Sequence, residues 1–192
     1  MHIKGARVNN RAQSVTYNID REENDYYATD PRVIDDLLER EDFNNIWEPA
    51  AGKGHLTYRL QKLGKQVYSS DLIDRGQGFD IIDFLKTDKK WDGDIITNPP
   101  YKIAQPFIQK ALDIVQPGRK VAMFVRLLFL ESKKRKIFFQ DNPIKYIYVY
   151  SSRVECKKGA DLDYVFDGGS VTCYAWFIWE KGYKGETIIR WI

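Results

Sequence analysis

Asp94-Ile95-Ile96-Thr97-Asn98-Pro99-Pro100-Tyr101 is the stretch that decides the fold. Ile95 to Thr97 form a short run of apolar and β-branched residues, the pattern of a buried strand. The run stops at a corner. Two consecutive prolines remove two backbone donors and fix the turn. Ala104, Phe107, Ile108, Ala111, Leu112 and Val115 follow at helical spacing. Strand, stiff corner and helix in that order make one βα unit.

The same alternation continues on both sides. Upstream, Asp30-Pro31 is a helix start, with Asp as cap and Pro at the first helical position. Val33, Ile34, Leu37 and Leu38 give that helix its apolar face. A strand over 45–48 leads into Glu48-Pro49-Ala50-Ala51-Gly52-Lys53-Gly54. Leu56, Leu60 and Leu63 mark a second helix closed by Gly64, and 66–70 reads as a strand ending at Asp71. Downstream, 121–125 is a near-continuous apolar strand, as a parallel sheet covered on both faces requires. Ser132 caps a basic helix to about 140, and 144–150 and 171–180 read as two further strands joined by a polar loop. Strands and helices that alternate in this way predict an α/β architecture with a mostly parallel sheet and helices on both faces. The polar segment 1–26 reads as an N-terminal arm, with the globular domain over 27–192.

The 192 residues, 43% of them hydrophobic, suffice for one domain with its own core. No apolar run approaches the roughly 18 residues of a membrane span, and the N-terminus lacks the apolar stretch of a secretion signal. A cytoplasmic protein is therefore expected, without a membrane partner. Two cysteines and two histidines are too few for a disulfide framework or a zinc site, so no metal is expected. The net charge of +3 conceals an asymmetry. Residues 1–115 carry 16 basic and 19 acidic side chains, whereas 116–192 carry 14 and 8. The basic second half fits a polyanionic partner as well as it fits a solvated surface.

In open α/β sheets ligands bind beyond the carboxyl ends of the strands. Glu48 to Gly54, Asp71, Asp83-Phe84 and Asn98 to Tyr101 all fall at or just after such ends. Gly52 and Gly54 allow a tight turn and a close backbone approach. A phosphate-binding P-loop would need an earlier glycine and a Ser/Thr after the lysine, where this chain has Trp47 and Gly54. A nicotinamide fingerprint would need a third glycine, where it has Thr57. The turn is more similar to the loop of S-adenosylmethionine methyltransferases, in which an acidic residue opens a run of small residues. Glu48 would then meet a cationic amino acid group and Asp71 the ribose hydroxyls. Asp83 and Phe84 would hold an adenine by its amino group and its ring face. The Asn98-Pro99-Pro100 corner offers carbonyl oxygens and the Asn98 side-chain oxygen as fixed acceptors. Paired acceptors suit a planar exocyclic amine, which is a poor nucleophile until its hydrogens are bound. Tyr101 would stack on the ring that bears the amine.

Asn98-Pro99-Pro100-Tyr101 resembles the signature of amino-methyltransferases, above all the DNA N6-adenine methyltransferases. Tyr27-Ala28-Thr29-Asp30-Pro31 resembles their N-terminal cofactor motif. The order of motifs resembles the gamma arrangement, and the whole chain through Trp179-Glu180-Lys181-Gly182-Tyr183 is similar to small phage- or prophage-encoded forms. The resemblance implies a Rossmann-like class I methyltransferase with a seven-stranded sheet whose last strand is antiparallel. It implies S-adenosylmethionine held by Tyr27, Thr29, Glu48, Ala50, Gly52, Gly54, Asp71, Leu72, Asp83, Phe84 and Asn98. It implies a catalytic corner of Asn98, Pro99, Pro100 and Tyr101. Lys53 stands where the family has a small residue, and a separate target-recognition domain is not expected. Site choice would fall to the arm, to the loop over 152–170, or to a second copy or accessory specificity partner.

Arg126 and Phe129, after the 121–125 strand, are candidates for lining the substrate cleft beside Tyr101. Lys133 to Lys136 and Lys157-Lys158 are candidate phosphate contacts. Tyr146, Tyr148 and Tyr150 alternate as one face of a strand and read as sheet packing. Cys156 and Cys173 read as inert, and His55 as a helix residue near the cofactor. Methyltransferases of RNA bases and of protein glutamine use a corner of the same type, and a non-catalytic nucleic-acid or host-protein binder on this fold is a further alternative.

Overall fold

The computed structural model describes residues 26–192; apart from Tyr26, the expected arm lies outside the described residues. The elements run β1 (Tyr27–Thr29), α1 (Arg32–Leu38), β2 (Ile46–Glu48), α2 (His55–Lys62), β3 (Val67–Asp71), β4 (Asp80–Ile81), β5 (Ile95–Thr97), α3 (Ala104–Ile114), β6 (Lys120–Arg126), α4 (Lys133–Asp141), β7 (Tyr146–Val149), β8 (Cys156–Lys158), β9 (Tyr174–Glu180) and β10 (Ile188–Trp191). Eight strands form one sheet in the order β10-β7-β9-β6-β5-β2-β3-β4. All neighbours are parallel except β9, which runs antiparallel to both β6 and β7.

Side-chain alternation along the central strands splits the core into two layers. Val121, Met123 and Val125 of β6, with Ala175, Phe177 and Trp179 of β9, pack under α3. Ala122 and Phe124, with Tyr174, Trp176 and Ile178, pack under α1 and α2. Strands buried on both sides have no polar face, which is why β6 reads as a continuous apolar run. The alternating tyrosines behave as expected. Tyr148 is buried in the α1/α2 layer, with Tyr146 and Tyr150 packed against it. Asp94 links the entries to two strands. Its carboxylate accepts from the Asn44 and Lys120 backbone N–H groups, each at 2.7 Å.

Two helix starts follow the cap chemistry. The Asp30 carboxylate accepts from the Arg32 backbone N–H at 3.0 Å, although the helix begins at Arg32, one residue after the proline. Ser132 Oγ accepts from the N–H groups of Lys134 and Arg135 at the head of α4.

The sheet departs from the expected seven strands by one. β10 adds a parallel edge strand beside β7, so the antiparallel β9 is not the last in sequence. Ile188, Ile189 and Trp191 of β10 are exposed, so no inside–outside alternation marks that segment as a strand. The described residues also contain a two-stranded ribbon, β1 with β8, registered Tyr27↔Lys158, Ala28↔Lys157 and Thr29↔Cys156. The polar loop before β9 is therefore partly structured, and it is tied to the segment before α1.

Candidate active site

Three parallel strands end at one cavity. Glu48 is the last residue of β2, Asp71 the last of β3, and Asn98 follows the last of β5. The cavity has a volume of about 240 Å³, and Tyr27, Thr29, Ala50, Leu72, Asp83 and Phe84 also line it. So does the whole corner from Asn98 to Tyr101.

At the corner, the Asn98 side-chain amide donates from Nδ2 to Thr29 Oγ1 at 2.8 Å. β8 fixes Thr29, because Thr29 pairs with Cys156 across the ribbon. With its nitrogen held, Asn98 presents an Oδ1 that is shielded from solvent and has no hydrogen-bond partner among the described residues. Leaving a buried acceptor unmade costs about 1–3 kcal/mol, so this atom points to a donor supplied by a ligand. Tyr101 is held on several sides. Its hydroxyl donates to Cys156 Sγ at 3.7 Å, the Arg126 guanidinium lies 4.6 Å from its ring centroid, and the ring of Tyr27 lies 5.9 Å away. Burial pushes the Tyr101 phenol well above its ordinary range and raises the Cys156 thiol to about 11. Both stay protonated at neutral pH, so Cys156 is a packing and hydrogen-bonding group here.

Glu48 is fully buried and accepts from the Thr57 hydroxyl. Thr57 Oγ1 is in turn 2.7 Å from Ser69 Oγ. No cation pairs with Glu48 among the described residues, and burial lifts its pKa from the ordinary 4.5 to about 8. The carboxyl is therefore mostly neutral at pH 7 until a positive group enters. Asp71 works differently. Its carboxylate accepts from Gly52 N–H at 2.7 Å and Ile73 N–H at 3.1 Å, which ties the glycine turn to the end of β3. Gly52 and Gly54 have φ of +57° and +90°. They shape the turn rather than line the cavity. A Cβ on Gly52 would run into the Tyr26 ring, and one on Gly54 would meet Tyr58 and Phe79 at under 3 Å. Asp83 caps its own turn through Leu85 N–H and pairs with Lys86, which holds its carboxyl below the ordinary range. Phe84 is buried between Trp47 and Phe107, with centroids at 5.2 and 4.4 Å.

Phe129 lies away from the cavity. It is buried against Phe139 and Phe177 in the α3 layer, because the turn after β6 folds that ring back under α4. Arg126 is outside the cavity lining too, and meets the site where its guanidinium covers the Tyr101 ring. Residues 152–170, read as free for target recognition, are docked along the site, from Cys156 beside Tyr101 to Asp161 beside the glycine turn. Lys53 pairs with Asp161, and His55 Nε2 is 3.1 Å from the Asp161 carbonyl. Arg32 donates to the Phe166 carbonyl at 3.0 Å. Ala160, Tyr164 and Phe166 pack with Tyr26 and Ala28. This strap gives Lys53 a partner, and it holds His55 in a site whose burial lowers the imidazole pKa.

Neither protein-family models nor curated protein sequences match the chain. Solved structures do. A Listeria monocytogenes protein assigned to the class I S-adenosylmethionine-dependent methyltransferases superposes with a TM-score of 0.57 at 17% identity, over 84% of this chain and 64% of that one. The M protein of the type I restriction enzyme EcoKI gives 0.53 at 16%, over 85% of this chain and 45% of that one. An S-adenosylmethionine-dependent O-methyltransferase from Thermotoga maritima gives 0.51 at 16%, over 82% and 66%. The chain has the class I methyltransferase fold. It spans less than two thirds of the length of each of these three proteins.

On this methyltransferase fold, the sequence reading missed Thr57, Tyr26 and Arg75. Thr57 carried a signal, since it lies in the first turn of α2, directly after the glycine turn that Glu48 opens. Tyr26 and Arg75 line the cavity, with the Arg75 guanidinium 4.3 Å from the Tyr26 centroid. Neither belongs to a spacing pattern, and only the folded chain places one over the other.

The Thr29–Asn98 bond yields a testable expectation. Thr29→Val leaves the Asn98 amide without its anchor, and kcat is expected to fall roughly tenfold through misplacement. Thr29→Ser, which keeps the oxygen, should restore it. Equal losses in the two variants would show that the hydroxyl does not position Asn98.

Proposed function

We propose that the protein transfers a methyl group from S-adenosylmethionine to a planar exocyclic amine, the N6 of adenine in DNA. The Asn98 Oδ1 carries the reading: a buried acceptor without a partner among the described residues, beside a proline-stiffened corner, in a cavity that also holds a buried carboxyl to which none of those residues brings a cation. Glu48 suits the cationic amino acid part of the cofactor, Asp71 the ribose hydroxyls, and Asp83 with Phe84 the adenine. Tyr27, Thr29, Ala50 and Leu72 complete the wall, and Gly52 and Gly54 set the turn. Bound there, the cofactor supplies an electrophilic methyl group on a positively charged sulfur. Asn98 Oδ1 and the Pro99 carbonyl would accept the two amine hydrogens and raise the electron density on nitrogen; as the N–C bond forms the S–C bond breaks, the sulfur leaves as a neutral thioether, and the surplus proton on nitrogen passes to water. Pro100 holds those oxygens in place. The Tyr101 ring, with Arg126 on one face, stacks on the base with the face left to the cavity. The target nucleotide has to leave its stack to reach the corner.

The basic C-terminal half favours nucleic acid over a protein amide. The resemblance of Asn98 to Tyr101 to the N6-adenine enzymes favours adenine in DNA. The intact Asn98-Pro99-Pro100-Tyr101 element argues against a purely non-catalytic binder. Incubation with labelled S-adenosylmethionine and a panel of DNA, RNA and protein, followed by mass analysis, tests the reading. Label on adenine in DNA is expected, and label confined to RNA or protein would replace it. Asp71→Ala is expected to raise the dissociation constant for the cofactor about tenfold or more in calorimetry, from the loss of charge-assisted hydrogen bonds.

A further inference from the structure

The turn 127–130 and the head of α4 form an exposed surface beside the corner. The 3-10 turn Leu127–Leu130 continues directly from β6. It starts one residue after Arg126, whose guanidinium covers Tyr101. The turn is firmly held. Arg135 donates from Nε to the Phe129 carbonyl at 2.6 Å, and from its terminal nitrogen to the Glu131 and Leu128 carbonyls at 2.7 and 3.4 Å. Phe129 anchors it from below, and Leu127 N–H donates to the Cys173 carbonyl at 2.8 Å. Yet Leu128, at its tip, is 65% exposed, and Ile137 in α4 is 64% exposed. Lys133, Lys134 and Lys136, between them in sequence, are exposed and form no ion pair among the described residues.

Single exposed leucines are ordinary on protein surfaces. This one is different in combination: its backbone is clamped by a buried ring and an arginine fork, and the helix that supplies the fork opens with three exposed lysines that form no ion pair among the described residues. A partner that satisfies both features must present phosphates outside and apolar, stackable surface inside. A base-paired duplex does so. A single strand supplies the phosphates but has no stack that opens a gap when one nucleotide leaves.

We propose that this surface takes double-stranded DNA, with Leu128 entering the base stack in place of the extruded nucleotide while Lys133, Lys134 and Lys136 contact the backbone. Apolar side chains wedged between base steps are a general device for holding a distorted duplex. The proposal rests on the methyl-transfer reading above and adds the strandedness of its substrate.

Leu128→Ala tests it on one sequence offered as duplex and as single strand. The rate on duplex is expected to fall about tenfold or more, with the single-strand rate within about twofold of the parent protein. Leu128→Met, which keeps the apolar reach, should retain the duplex rate, and melting temperatures should match throughout because Leu128 is exposed. Replacing Lys133, Lys134 and Lys136 together by Ala should weaken duplex binding and lower the slope of log affinity against log salt by about two to three. Equal effects of Leu128→Ala on the two substrates, no effect on either, or a parent protein that prefers single strands would overturn the wedge. A parent protein that labels no nucleic acid in any form would instead overturn the proposed function, and this surface with it.

Discussion

Asn98→Ala is expected to lower kcat by about 10²- to 10³-fold, the usual cost of losing one preorganised group in the transition state. The dissociation constant for S-adenosylmethionine should stay within about threefold of the parent value. The split follows from where the bonds are. Asn98 is anchored through Nδ2 to Thr29 and keeps Oδ1 unmade. The glycine turn is held separately, by Asp71 accepting from Gly52 N–H. Removing the amide therefore takes away the acceptor for the amine and leaves the turn intact. Protein stability should change little, because the deletion also relieves a buried unmade acceptor while it forfeits one side-chain hydrogen bond. Single-turnover kinetics with excess enzyme, beside calorimetry, separates the two quantities. Parent-like turnover would mean that the corner does not act on an amine at all.

Much of this arrangement is legible without coordinates, for identifiable reasons. β6 shows itself because a strand covered on both faces admits no polar residue from Val121 to Val125. The corner shows itself because two prolines in a row have few other uses after a buried strand. The tyrosines of β7 show themselves by their period of two. What stays hidden depends on distant pairing or on the absence of a pattern. The β1–β8 ribbon joins Thr29 to Cys156 through two three-residue segments far apart in sequence, too short to display periodicity. β10 is a strand by virtue of its hydrogen bonds to β7, while its side chains face solvent. Phe129 illustrates the ambiguity of a lone aromatic after a strand, which can serve the cleft or the core. Here Arg135 and α4 turn it inward. Lys53 looks like an intruder in the glycine turn until the strap brings Asp161 to it.

Glu48 makes the second large prediction, through its proton. With a pKa of about 8 in the free protein, the carboxyl is neutral below that pH and has little to offer a cation. A positively charged ligand binds the ionised form and must expel the proton. Affinity for the cofactor should therefore rise about tenfold per pH unit from pH 6 towards 8 and level off above it. Glu48→Gln should remove this dependence and bind weakly at every pH, near the parent protein's value at pH 6. The same proton acts on folding in the opposite sense. The folded-state pKa lies above the unfolded value of about 4.5, so the native state holds the extra proton between the two. The contribution of Glu48 to stability is then greatest below about pH 4.5 and declines through the interval up to about pH 8, by at most about 1.4 kcal/mol per unit. Because other groups titrate as well, the readout is the difference between parent and Glu48→Gln melting curves across that range, a difference that saturating cofactor should reduce. A cofactor dissociation constant flat from pH 6 to 9 in the parent protein would show that no positive charge meets Glu48, and the assignment of the β2 end of the cavity to the amino acid part of the ligand would have to be given up.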